Sequence, residues 1–110
     1  MTTLAEAFAA AHALADLLDR RGIEADIAGD PLHLGAAEIN GTLDGRPVSL
    51  FLLHTDRDLT WTLVDDAPGD NHGEYIETGT RYGVDLPQAA EHVQRWLAAA
   101  GIRPGDTAGG

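Results

Sequence analysis

The chain has 110 residues and carries 18 Asp and Glu against 7 Arg, with no Lys, for a formal charge of −11 with His neutral. It contains no cysteine, which excludes a disulfide framework, a thiol nucleophile and a Cys-ligated zinc or iron–sulfur centre. No apolar run approaches the roughly 18 residues of a membrane span, and a surface this negative repels phosphate, which disfavours direct nucleic-acid binding and favours a basic protein partner.

Thr3-Leu4-Ala5-Glu6 has capping-box spacing, in which a Thr and a Glu three residues apart satisfy free amides at a helix start. Leu4, Phe8, Ala11, Ala15 and Leu18 then recur at helical spacing, with Leu14 and Leu17 widening the stripe. Arg20 and Arg21 fall in the last turn, and Gly22 offers the left-handed stop. A helix is predicted over residues 3–21. Ile23, Ala25 and Ile27 alternate with Glu24 and Asp26 as a short strand, which Gly29-Asp30-Pro31 breaks. A second strand is predicted over 33–43, and a third over 46–54. Between them, Asp44-Gly45 has the residues of a two-residue hairpin turn. Thr55-Asp56-Arg57-Asp58 turns the chain again into a fourth strand over 59–65. Residues 66–83 read as a long Gly-rich loop in which Glu74–Thr78 has the pattern of a short edge strand. A second helix is predicted over 86–100, with Asp85 as N-cap, Gln88 three residues on, and Gly101 as its stop.

The Asp44-Gly45 turn fixes a register. Leu43 faces Arg46, Gly41 faces Val48, Ile39 faces Leu50, and Ala37 faces Leu52. Continued across the next turn, it sets Leu52 against Trp61 and Leu50 against Leu63. One sheet face is then a continuous apolar layer that both helices should cover. The other is polar, interrupted by Phe51, Leu53 and Val64, for which Tyr75 and Ile76 are the obvious cover. The expected fold is α+β: an antiparallel four-stranded meander flanked by N- and C-terminal helices on one face, in the order α-β-β-β-β-α. A single domain is expected over 1–102, with a flexible C-terminal tail over 103–110. In element order alone this resembles the double-stranded-RNA-binding domain and the acidic secretion chaperones. Asp85, Gln88 and Glu91 stand where the first would need basic residues, and no residue role is carried over from either.

Few patterns carry chemistry. Ser49 is the lone serine and lies inside a strand without a nucleophile-elbow turn. The register brings His33 and His54 toward one end of the sheet near Asp30, Asp56 and Asp58, a set with the chemistry of a metal or acid–base site. Asp65, Asp66, Asp70 and Glu74 offer oxygen ligands, but Pro68 and the glycine placement do not fit an EF-hand loop. Seven carboxylates and one Arg lie between Asp56 and Glu77. Acids so spaced can imitate nucleic-acid phosphates.

The expectation from the sequence is a small, acidic, non-enzymatic protein-binding module of the cytoplasm, without cofactor or metal. It would act as an inhibitor or adaptor on a partner's basic, nucleic-acid-handling surface, through Asp44, Asp65, Asp66, Asp70, Glu74, Glu77, Phe51 and Leu53. The Lys-free, Ala- and Arg-rich usage suits a GC-rich bacterial or phage genome. Two alternatives stand beside it: a homodimeric chaperone-like or assembly protein using the Phe51/Leu53 face, and a metal-dependent enzyme using His33, His54 and Asp56.

Overall fold

A computed structural model describes residues 3–69 and 73–104. Helix α1 (Leu4–Arg20) starts at Thr3, whose hydroxyl accepts from the Glu6 amide at 3.1 Å. It ends as the sequence predicts. The Gly22 amide donates to Asp19 O and the Ile23 amide to Leu18 O, with Gly22 in the left-handed region at φ 80°. This double bond pattern satisfies the last carbonyls that a helix leaves open. Helix α2 (Leu86–Ala100) has the full capping box of Asp85 and Gln88 and stops at Gly101, also left-handed.

The strands are β1 (Asp26–Ile27), β2 (Ala37–Leu43), β3 (Arg46–Thr55), β4 (Asp58–Asp65), β5 (Tyr75–Arg81) and β6 (Ile102–Pro104). All pair antiparallel, so the α+β class holds. The β2–β3–β4 register is the one the two turns dictate, from Leu43 opposite Arg46 to Leu52 opposite Trp61. Both turns place two residues at positive φ, Asp44 and Gly45 in the first, Asp56 and Arg57 in the second, which matches the right-handed twist of the strands they join.

The four-stranded meander is corrected to a six-stranded sheet. β1 shrinks to two residues. The strand predicted over 33–43 begins only at Ala37, because Pro31–His33 forms a 3-10 turn and Gly35, at φ 82°, packs against Ala7 of α1. β5 is longer than the edge strand foreseen and runs along β4 to Arg81. The tail expected over 103–110 is corrected at its first two residues. Arg103 and Pro104 belong to β6, which takes the half of the β2 edge that β1 leaves open, Leu43 facing Ile102 and Gly41 facing Pro104. Residues 105–110 lie outside the described residues.

Both helices lie on one sheet face. Leu14 and Leu18 of α1 and Val93 and Leu97 of α2 cluster with Ile39, Leu50, Leu52, Leu59 and Leu63 of the sheet. Leu14, Leu18, Ile39, Leu50, Leu52 and Leu59 are fully buried, and burial of each stabilises the fold by roughly 1.5–3 kcal/mol. No helix is long and apolar enough to cross a membrane.

Gly41 is where β6 approaches most closely, since a Cβ there would stand 2.5 Å from the Arg103 carbonyl oxygen. Gly41→Ala should push β6 off β2, at a cost of about 1–3 kcal/mol. Amide exchange of residues 102–104 should accelerate while that of β3 and β4 stays protected.

Candidate functional site

The sheet face without helices carries the site. Phe51, at the middle of β3, is flanked by Glu38 on β2 and Thr62 on β4. What covers it is His33. The imidazole lies flat on the Phe51 ring, with centroids 3.7 Å apart and planes 6° from parallel. The 3-10 turn that Pro31 starts holds His33 there, and His33 Nδ1 donates to Asp30 Oδ2 at 2.8 Å. The carboxylate thereby orients the ring. His33 Nε2 is buried and has no hydrogen-bond partner among the described residues.

The cover that Tyr75 offers is partial, since it lines the same hollows as Phe51 but leaves them open. The β4–β5 register skips Ile76 and pairs Tyr75 with Val64. This bulge brings Tyr75 to the open face, where it stands 62% exposed as a wall. Leu32, 83% exposed, forms the opposite wall. Between them run two adjoining hollows of about 330 and 210 Å³, which share Leu32, His33, Phe51 and Tyr75. The smaller is mostly apolar and reaches Leu34 and Leu53, beside Thr60 and Thr62. The larger ends in three carboxylates, Asp30, Glu38 and Asp66.

Those carboxylates interact. Burial pushes the Glu38 carboxyl above its ordinary value, and the negative charges of Asp30, Asp66 and Asp26 push it further, against a hydrogen bond with Asn40 that lowers it. The groove therefore joins an apolar floor to a cluster of like charge.

The residues singled out from sequence divide. Phe51 and Leu53 lie in the groove and Asp66 on its rim. Asp44 is exposed in its turn and Glu74 at the foot of β5. Asp65 does not join a display of acids, because it is buried and paired with Arg46 at 2.7 Å. Glu77 points to the helix side, where its Oε2 accepts from the indoles of Trp61 (3.3 Å) and Trp96 (3.1 Å). Asp70 lies outside the described residues. The histidine–carboxylate cluster is not assembled. His54 is on the helix face and its Nε2 donates to Val84 O at 2.8 Å, while His33 is on the open face. No group of three or more His, Asp or Glu among the described residues could hold a metal. Ser49 only donates to Asn40, at 3.0 Å.

A separate polar hollow of about 230 Å³ lies between β5 and α2, lined by Arg81, Gln88, Glu91, His92 and Arg95. Burial holds the His92 imidazole below its ordinary value, and the cations Arg81 and Arg95 add to this.

Sequence reasoning missed Asp30, His33 and Glu38 as one unit. The signal was present for Glu38, which the hairpin register sets opposite Phe51, but nothing in the sequence showed that the 30–33 segment folds back over the sheet. Comparison with known proteins finds no family model, no curated relative and no solved structure that matches the chain.

Because folded Glu38 holds its proton to higher pH than the unfolded chain does, its ionisation makes stability fall as pH rises above the ordinary carboxylate range. Glu38→Gln should therefore raise the melting temperature at pH 7, and the gain should vanish by about pH 3, where both states are protonated. Thermal melts at the two pH values check this.

Proposed function

We propose that this protein is a binding module without catalysis of its own, and that the open sheet face receives a basic segment of a partner protein. The observation that carries the reading is the meeting of the apolar floor with Asp30, Glu38 and Asp66 in one groove. An arginine or lysine of the partner would relieve the repulsion that already raises Glu38. An adjacent apolar side chain would cover Phe51 and Leu53. A buried anchor beside a charged rim is how small interfaces gain both affinity and specificity.

The net charge of −11 supports the same reading. It speeds encounter with a basic partner from outside contact range, and Asp44, Asp66 and Glu74 remain exposed to contribute. A partner that handles nucleic acid would present such a basic surface. The anchoring, however, comes from the groove rather than from a row of acids spaced like phosphates, since Asp65 and Glu77 are engaged within the fold.

A synthetic peptide alternating Arg and Leu should shift the amide resonances of Phe51, His33 and Tyr75. Its affinity should fall steeply as salt rises from roughly 50 to 300 mM. Glu38→Gln combined with Asp66→Asn should weaken it about tenfold or more, as expected for loss of two charged contacts. Equal binding of a Glu–Leu peptide, or shifts confined to α2, would overturn the proposal.

A further inference from the structure

β5 closes one side of the sheet. The order runs from β1 and β6 through β2, β3 and β4 to β5, and among the described residues β5 pairs with β4 alone. No strand among them pairs with the outer edge of Tyr75–Arg81, whose outward amides and carbonyls are a template for another strand. Natural edges are usually protected by Pro, Lys or a covering element. β5 has neither Pro nor Lys, and its bulge lies at one end, by Ile76.

The strand is complementary to its own reverse about Gly79. Antiparallel pairing with a second copy, centred on Gly79, sets Thr78 opposite the partner's Thr80 and Glu77 opposite the partner's Arg81. One step further out, Ile76 meets the partner's Tyr82. Each pair is favourable by its chemistry. Arg81 has no ion pair among the described residues. Glu77 spends only Oε2 on the two indoles, which leaves Oε1 for a guanidinium. Ile76 and Tyr82 are large apolar side chains exposed by 47% and 76%, and each would cover the other. No neighbouring register does this. Centring on Thr78 sets Glu77 against glycine and Ile76 against threonine, and centring on Thr80 sets Arg81 against glycine. Centring on Glu77 would oppose two carboxylates.

We propose that a second copy of this chain docks along β5, in this register, to form a twofold dimer with one continuous sheet. The contact is isologous, so each favourable pair occurs twice and the assembly closes. Thr78 and Thr80 share the open face with Thr62 and Thr60, to which their hydroxyls bond. Both open faces therefore lie on the same side of the joined sheet, and the two grooves stand side by side.

Sedimentation of the full chain should show a concentration-dependent dimer, and a strict monomer up to about 1 mM would overturn the proposal. Arg81→Glu replaces two attractive pairs by two repulsive ones at an exposed position, so the dimer should weaken about tenfold or more with the melting curve of the fold retained. An unchanged dimer would overturn the edge. Because the native chain has no cysteine, the register can be read directly. A mixture of Thr78→Cys and Thr80→Cys chains should form a disulfide faster than either variant alone. Equal or faster linking of one variant with itself would overturn the register.

Discussion

The two faces of this sheet must be treated differently by the rest of the chain, and that constraint organises the molecule. Alternation along β2, β3 and β4 places Ile39, Leu50, Leu52, Leu59 and Leu63 on one side. Among the described residues the two α-helices both lie on that side and remove it from water. No α-helix among them is left for the other side, so Phe51 and Leu53 must be covered by less regular means or remain accessible. The short 30–33 segment covers Phe51 in part, through one imidazole stacked on it. The groove is what that partial cover leaves.

The same economy explains the electrostatics. Returning the 30–33 segment over the sheet brings Asp30 beside Glu38, and the end of β4 brings Asp66 to the same place. Burial and like charge act together on Glu38, an arrangement that costs stability at neutral pH. Such a cost is common where a protein keeps a surface ready for a partner of opposite charge. Two other acids are engaged inside the fold: Arg46 pairs with Asp65, and two indoles bond Glu77. The crowding of like charge around Glu38, more than the number of acids, distinguishes the groove.

The sheet's two edges are also unlike. On the β2 side, β1 and β6 share the edge in tandem, so most of its backbone groups are used. On the β5 side nothing comparable follows among the described residues, and the exposed apolar side chains Ile76 and Tyr82 flank a strand with opposite charges two residues either side of a glycine. That glycine has an internal reason as well. A Cβ at Gly79 would stand 2.5 Å from the Trp61 ring, so the indole lies across the strand at that point.

Local chemistry settled much of this in advance. The helix limits, the two hairpin turns and the β2–β4 register were legible because each depends on residues within a few positions: Thr3 and Glu6, Asp85 and Gln88, Asp44 and Gly45. Once a two-residue turn is fixed, period-two alternation dictates every facing pair. The tertiary structure alone decided the rest. Whether Arg103 pairs with Thr42, whether Tyr75 covers or walls Phe51, and whether His33 joins His54 or stacks on an aromatic ring all depend on contacts far apart in the chain. A one-residue bulge set Tyr75 on the open face, and one 3-10 turn took His33 out of a strand. Sequence periodicity cannot register either event, because each is a local break in the very pattern from which the sequence is read.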